Sequence, residues 1–224
     1  AAILGGIPAY FKWLDPTLSL VENIRQRILF PGSMFLGEPT LLLYDEVREP
    51  QSYLAILKAI GAGYHTLDDI SNECLIGKSN LSAYLVRLQD LKFIERRLPA
   101  TLPTAKRRRS RQGRYHIIDP YFRFFFRFIA PFHETIPFDL DPVMGKVQQA
   151  LRAFVGQTAF EELAQQWVRQ QAKRGVLSCV PERIGSHWSR AVQVDVVGVS
   201  WQAQQLVLGE CKWGEKAVDK KTVR

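Results

Sequence analysis

Apolar residues recur at helical spacing in the first part of the chain and change to a strand pattern near its end. Leu20 and Ile24 lie four residues apart, on one face of a helix, and their apolar neighbours extend that face. The same spacing predicts three short helices, over residues 9–14, 18–30 and 38–48. Residues 1–48 are therefore predicted to form a helical segment.

Three helical patterns followed by two strand patterns occupy residues 49–118. The first helix is predicted to begin at Pro50 and to end near Gly63. Thr66 is expected to cap the second helix and Ser79 the third, because hydroxyl side chains accept hydrogen bonds from the free N–H groups at a helix start. The two strands are predicted over residues 93–98 and 113–118. Three helices and a two-stranded wing are the plan of a winged helix-turn-helix domain.

The remaining residues combine helices with short apolar strands. An aromatic segment after Asp119 predicts a buried helix, and prolines up to Pro142 indicate a linker that completes residues 119–142. Helical spacing returns over residues 143–174, and strands are predicted over residues 176–180, 191–199 and 205–213. The predicted fold class is a mixed α/β multi-domain chain, in which a helical segment and a winged helix precede an α/β domain over residues 143–224.

Positive charge is in excess and is concentrated in one loop. The formal net charge is +8 and the pI is about 9.5, which favours a polyanionic partner. The loop between the two predicted strands of the wing contains five basic residues, Lys106, Arg107, Arg108, Arg109 and Arg111. We expect this loop to hold DNA phosphates and to bind less tightly as salt rises, with a slope of about 0.9 per phosphate.

The third predicted helix of residues 49–118 has a face suited to the major groove of double-stranded DNA. Asn80 and Arg87 lie opposite the apolar stripe, and Ala83 between them permits a close approach. Lys78 and Ser79 stand at the helix start, where free N–H groups and the helix dipole favour phosphate. These residues are predicted to contact DNA. The alternative is a protein-binding winged helix with a solvated basic loop.

Acidic residues and a lysine interrupt the apolar strands near the end of the sequence. Glu210 and Lys212 share one face of the last predicted strand, since strand side chains alternate. If that strand pairs with the preceding one as a hairpin, Asp195 converges with them, and Glu161 on the preceding helix adds a third acid. Mg²⁺ prefers such oxygen ligands, and the lysine can orient water. The predicted metal ligands are Glu161, Asp195 and Glu210, and Lys212 completes the predicted catalytic set. The alternative is a group of surface salt-bridge partners.

Other motifs exclude several functional classes. Gly77-Lys78-Ser79 has the form of the end of a phosphate-binding loop, but Asn72 occupies the position of the required glycine, so this chain has no predicted ATP site. The three cysteines and four histidines are scattered, which excludes a zinc cluster and favours a reducing compartment. The sequence shows no signal peptide and no apolar run near the ~20 residues that span a membrane. A cytoplasmic protein without a membrane partner is predicted, and its oligomeric state stays open.

Four segments resemble the C-terminal part of the archaeal-type P-loop ATPases, a family also found in bacteria. These segments are residues 5–10, the winged-helix region, residues 115–124 with Asp-Pro-Tyr-Phe-Arg-Phe, and residues 194–197 with 209–213. The resemblance implies that residues 1–48 end an ATPase lid whose core lies before Ala1. We therefore expect this chain to be a piece of a longer protein, to act with its ATPase portion as a partner, and to use ATP only through that core.

The same resemblance relates the last third to the PD-(D/E)XK nuclease superfamily. The motif of that superfamily falls on Asp195, Glu210 and Lys212, with Glu161 as the acid on the helix. It implies Mg²⁺-dependent phosphodiester hydrolysis and an α/β restriction-endonuclease-like domain, incomplete here because the sequence stops soon after the Glu-x-Lys strand. Three hypotheses follow: a DNA-binding nuclease-like region, a non-catalytic DNA-binding regulator, and a protein-interaction adaptor for the ATPase.

Overall fold

The computed structural model describes residues 1–214, and these residues form helices and two small antiparallel sheets. The chain divides into two compact units. The first unit comprises Ala1–Arg97 and Arg114–Leu151, and the second comprises Leu98–Gly113 and the described residues from Arg152 onward. The predicted mixed α/β class is confirmed. No helix within residues 1–214 is long and apolar enough to cross a membrane.

Most of the helices are short, and several continue into tighter or wider turns. The α-helices are α1 (Pro8–Phe11), α2 (Leu20–Asn23), α3 (Glu38–Glu46), α4 (Pro50–Ala62), α5 (Leu67–Cys74), α6 (Lys78–Asp90), α7 (Thr104–Arg107), α8 (Pro120–Phe124), α9 (Asp141–Val155) and α10 (Glu161–Lys173). Turns of π-helix cover Ile24–Ile28, Phe125–Ile129 and Gly156–Phe160, and 3-10 turns cover Met34–Leu36 and Ala130–Phe132.

Five short strands form the sheets. They are β1 (Ile94–Arg97), β2 (Arg114–Ile117), β3 (Arg183–Trp188), β4 (Gln193–Ser200) and β5 (Gln205–Gly209). β1 pairs with β2 in the first unit, and the second unit contains the sheet β3-β4-β5, in which every pair is antiparallel.

Aromatic side chains from α8 and the π-helical turn after it fill the core of the first unit. Tyr121 and Phe124–Phe126 are buried, as the sequence predicted. Asp119 caps α8, because its Oδ1 accepts the N–H of Phe122 at 3.0 Å. The hydroxyl of Tyr121 donates to the carbonyl oxygen of Phe35, so the polar end of this buried ring is satisfied. The Asp-Pro-Tyr-Phe-Arg-Phe segment is therefore part of the structural core.

The helices and strands expected over residues 49–118 are present as α4, α5, α6, β1 and β2. The predicted cap of α5 is confirmed, since Thr66 Oγ1 accepts the N–H of Asp69 at 3.1 Å. Gly63 ends α4 with a φ of 109°, a conformation that favours glycine. The predicted cap of α6 is wrong: that helix begins at Lys78 after Gly77, so Ser79 lies inside the first turn.

Gly61 permits a close approach between α4 and the aromatic segment. A Cβ atom at this position would lie 2.7 Å from the Cβ of Phe126 and 2.8 Å from its carbonyl atoms. Cβ atoms in folded proteins do not lie this close to other atoms, and the backbone of Phe126 cannot relieve the clash by a change of rotamer. This glycine therefore sets how closely two elements of the first unit pack.

Gly61→Ala is expected to lower the free energy of unfolding by about 1–3 kcal/mol, the usual cost of overpacking a core. Gly145→Ala is the matched control, because Gly145 lies in α9 with no atom within 4 Å of an added Cβ. The control should raise stability by roughly 0.5–1 kcal/mol through helix propensity. Urea unfolding measures both changes, and equal stability of the two variants would contradict the packing explanation.

In the second unit, the loop Leu98–Gly113 packs against the three-stranded sheet. Ala100 of this loop is buried against Val197 and Val199 of β4. Its main-chain N–H donates to the carbonyl oxygen of Ser186 on β3 at 2.8 Å. The loop that connects β1 and β2 along the chain therefore belongs, by its packing, to the unit that contains the sheet.

Several strand bounds differ from the sequence predictions. Residues 176–180 do not form a strand, and β3 forms instead at Arg183–Trp188. This segment lacks apolar alternation, and its pairing with β4 stabilises it as a strand. β5 ends at Gly209, so Glu210 and Lys212 lie beyond the strand. The boundary between the units falls within α9, after the proline-rich stretch in which the linker is expected.

Candidate functional site

The predicted hairpin of β4 and β5 is present, and its open end carries acidic residues. Ser200 pairs with Gln205 beside the turn, and Val196 pairs with Gly209 at the other end. One step beyond that last pair, Asp195 and Glu210 stand opposite each other. The hairpin therefore brings together two residues that are 15 positions apart in the sequence.

Asp195 lies at an irregularity in β4. Gly185 of β3 pairs with Val197, and His187 pairs with Val194. Between these pairs β3 advances by two residues and β4 by three, so β4 contains an extra residue beside Asp195. Such a bulge bends the strand and redirects side chains, and bulges are common next to functional sites.

Asp195 interacts with the residues that follow β5. The carboxyl group of Asp195 is half-buried, and this burial and the nearby Glu210 both raise its pKa. Asp195 Oδ2 also accepts the main-chain N–H of Cys211 at 2.8 Å. Lys212 Nζ donates to Glu210 Oε1 at 2.5 Å. Two of the predicted acids and the predicted lysine therefore lie close together at the end of the hairpin.

α10 adds Glu161 to the surroundings of these residues. Gln165 Nε2 donates to the main-chain oxygen of Asp195 at 3.2 Å, and Glu161 lies one helical turn earlier on the same face. Burial raises the pKa of the Cys211 thiol to about 11, and the charges of Asp195, Glu161 and Glu210 contribute to the rise. All three predicted acids therefore lie close enough to the Cys211 thiol to raise its pKa.

An aromatic contact holds the segment after β5 near the start of α10. The rings of Phe160 and Trp213 lie 5.1 Å apart, centroid to centroid. A Cβ atom at Gly156 would lie 3.1 Å from the Cβ of Trp213, so a larger residue there would crowd this contact. The packing keeps Lys212, the neighbour of Trp213, in the same part of the unit as Glu161.

The donor set suits a hard divalent cation, although within residues 1–214 no three His, Cys, Asp or Glu side chains are already arranged as a complete ligand group. Asp195 and Glu210 stand opposite each other at the end of the hairpin, and carboxylate oxygens are the ligands that Mg²⁺ prefers. Burial raises the pKa of Asp195, and the negative charge of Glu210 raises it further. A cation between them would stabilise both ionised carboxylates.

The basic loop presents most of its charges to solvent. Lys106, Arg108, Arg109 and Arg111 are exposed, whereas Arg107 is half-buried and donates from Nη1 to the carbonyl oxygen of Pro99 at 3.2 Å. The short helix α7 ends at Arg107. Arg107 therefore stabilises the loop, and the other four predicted phosphate ligands are accessible.

The predicted DNA-reading face of α6 is exposed, but two of its cations have partners within the first unit. Asn80 is exposed on α6, together with Ser79. Lys78 Nζ pairs with Asp68 Oδ1 at 2.8 Å. Arg87 Nη2 donates to the carbonyl oxygen of Glu46 at 3.2 Å. Contact of these cations with phosphate would compete with existing contacts, so the loop is the more available cationic surface.

A stacked pair of histidines stabilises the first unit and is not a catalytic candidate. The rings of His65 and His116 lie 4.3 Å apart, and His65 Nδ1 is hydrogen-bonded to the carbonyl oxygen of Tyr115 at 2.8 Å. Burial lowers the pKa of His116 to about 2, and the charge of His65 lowers it further. Both imidazoles therefore stay neutral near pH 7, and they join β2 to the turn before α5.

Gln165, Arg183 and Trp188 have roles in the second unit that were not predicted from the sequence. Gln165 lies four residues after Glu161, so helical spacing alone places both on one face. Arg183 and Trp188 contact Leu102 and Gln112, which are 81 and 76 positions away. No local pattern signals contacts at that separation.

Comparisons with known proteins identify a domain and a relative without a described function. Residues 125–223 match the model of DUF234, a family described as archaeal and bacterial proteins of unknown function. The chain is 31% identical over 211 residues to "Uncharacterized protein MJECL04" of Methanocaldococcus jannaschii. That alignment covers 93% of this chain and 46% of the relative, so the chain spans about half the length of the protein it matches. No solved structure matches the chain.

Proposed function

We propose that this chain is the DNA-binding, nuclease-like region of an archaeal-type ATPase and that its second unit hydrolyses phosphodiester bonds with Mg²⁺. One arrangement carries the proposal: Asp195 and Glu210 stand opposite each other at the end of a hairpin, and Lys212 pairs with Glu210 at 2.5 Å. Two carboxylates can hold a divalent cation and a neighbouring lysine can offset phosphate charge, as metal-assisted phosphodiester hydrolysis uses such groups.

Each residue has a distinct role in this proposal. Asp195 and Glu210 would hold the cation, and Glu161 on α10 would be the third carboxylate. Bound Mg²⁺ would polarise the phosphate and lower the pKa of the attacking water. Lys212 would offset the charge that develops on the phosphate, because its ammonium group already lies at the carboxylate pair. The N–H of Cys211 fixes the orientation of Asp195.

The basic loop supports DNA as the substrate. Its four exposed cations, Lys106, Arg108, Arg109 and Arg111, belong to the same compact unit as the carboxylates. The residues on α6 would add contacts from a winged helix. Under this proposal the protein acts in the cytoplasm, and ATP acts through a core elsewhere in the longer protein. The alternatives are the non-catalytic regulator, which would bind DNA without cutting it, and the adaptor, which would bind the ATPase portion.

The proposal is tested by incubating the full-length protein with supercoiled plasmid in Mg²⁺ and in excess EDTA. We expect nicked plasmid with Mg²⁺ and intact plasmid with EDTA, because the carboxylates cannot neutralise phosphate charge without a cation. Equal nicking in both conditions would contradict a Mg²⁺-dependent site, and intact plasmid in both while the protein binds DNA would favour the regulator over the nuclease.

A further inference from the structure

Strand β3 anchors the first half of the basic loop through contacts that follow Ala100. The side chain of Arg183 donates to the carbonyl oxygen of Leu102 at 2.7 Å and to Thr104 Oγ1 at 3.0 Å. Its guanidinium also lies 5.0 Å from the ring centroid of Trp201. Since Thr104 is the first residue of α7, Arg183 fixes the start of the helix that leads into the basic run.

The far end of the loop is anchored to the same strand. Trp188 Nε1 donates to the carbonyl oxygen of Gln112 at 2.9 Å, and Trp188 itself is buried. Gln112 directly follows Arg111, the last basic residue of the run. The exposed cations therefore lie, along the loop, between two positions that are anchored by Arg183 and Trp188.

These anchors also place the loop beside the bulge of β4. Thr101 Oγ1 and His187 Nδ1 share a hydrogen bond of 2.7 Å, and His187 pairs with Val194 of β4. Val194 immediately precedes Asp195. Neighbouring strands lie only about 4.8 Å apart, so a loop fixed to this part of β3 lies one strand away from the candidate carboxylates.

We propose that Arg183 and Trp188 are positioning residues that hold the basic loop as a preformed phosphate-binding surface next to Asp195. The inference rests on the proposed function, and it adds that DNA binding and hydrolysis share one unit because β3 fixes the loop. The ligand is the phosphate backbone of duplex DNA. A loop already held in place loses less conformational freedom on binding than a flexible one, so the anchors increase affinity without touching DNA.

The test uses two substitutions that leave the net charge unchanged. Arg183→Lys keeps the positive charge but loses the forked donor geometry, and Trp188→Phe removes only the indole N–H and part of the ring. Each is expected to weaken binding of a 30-base-pair duplex by the full-length protein about five- to tenfold, as loss of one positioned hydrogen bond would. Fluorescence anisotropy at several salt concentrations measures the affinity.

Arg169→Lys is the matched control. Arg169 of α10 donates to the carbonyl oxygen of Ile184 on the same strand at 3.1 Å, and this bond does not hold the loop. The control should bind DNA as the wild type does. Trypsin provides a second measurement that is independent of DNA: cleavage after the basic residues of the loop should be faster in Arg183→Lys and Trp188→Phe than in wild type and control.

The outcomes separate this inference from the proposed hydrolysis. Weaker binding and faster loop cleavage in both variants support the anchors even when the wild type does not nick plasmid, in which case only the nuclease proposal fails. Wild-type affinity and wild-type trypsin rates in folded Arg183→Lys and Trp188→Phe would overturn the inference. A full-length wild type that does not bind duplex DNA would overturn it as well.

Discussion

Replacing Asp195 by Asn is expected to lower the single-turnover rate of Mg²⁺-dependent DNA cleavage about 10³-fold, while the affinity for duplex DNA stays within about twofold of the wild type. The rate loss reflects several kcal/mol of cation-assisted stabilisation of the transition state, at ~1.4 kcal/mol per factor of ten. Affinity is preserved because an acidic residue does not attract phosphate and because the exposed cations of the loop are unchanged.

Asparagine is the informative replacement because it keeps the size of Asp195 and an acceptor for the N–H of Cys211. It removes the negative charge that would hold a cation. Glu182→Gln is the matched control, since Glu182 is exposed, precedes β3 and accepts the N–H of Gln202 at 2.8 Å, away from the predicted catalytic residues. The control should cut DNA at the wild-type rate. Equal loss in both variants would indicate a general effect of charge or folding.

Replacing the four exposed cations of the loop by Gln is expected to change the salt dependence of binding more than any other substitution. The variant carries Gln at Lys106, Arg108, Arg109 and Arg111, and Arg107 is retained because it donates to Pro99. Four lost phosphate contacts lower the slope of log affinity against log salt by about 3.6. Between 50 and 200 mM salt, wild-type affinity should therefore fall about 150-fold further than that of the variant.

A control with the same total charge separates local contacts from net charge. Lys12, Arg48, Lys58 and Lys146 are exposed in the first unit, and their joint replacement by Gln removes four charges without changing the loop itself. Its salt slope should stay close to that of the wild type. Equal slopes in the two quadruple variants would contradict a phosphate-binding role for the loop.

The hairpin could be predicted from the sequence because apolar alternation marks its strands and polar residues mark the turn between them. Val194, Val196 and Val197 mark β4, and the polar residues near Trp201 mark the turn, so the convergence of Asp195 and Glu210 follows from antiparallel pairing. The bulge beside Asp195 could not be predicted, because it arises from a register shift against β3. β3 itself contains arginine, glycine, serine and histidine, and it is a strand because β4 pairs with it.

The basic loop shows a different limit of sequence reasoning. Its position between two strands was predicted, and β1 and β2 flank it. Its packing against β3 depends on Trp188 and Arg183, whose partners lie more than 70 positions away. Charge clustering therefore favours a polyanionic partner for a segment, but only tertiary contacts determine the unit against which that segment packs. Here they unite the cations and the carboxylates in one unit.

The most direct test of the nuclease proposal is single-turnover cleavage of an end-labelled duplex, with all DNA bound by the full-length protein and Mg²⁺ present. Saturating protein removes affinity from the measured rate, so the comparison of wild type with Asp195→Asn reports only on the chemical site. The proposal predicts time-dependent product with the wild type and about 10³-fold slower product with the variant. Equal rates for the two proteins, or no product from the bound wild type, would contradict it.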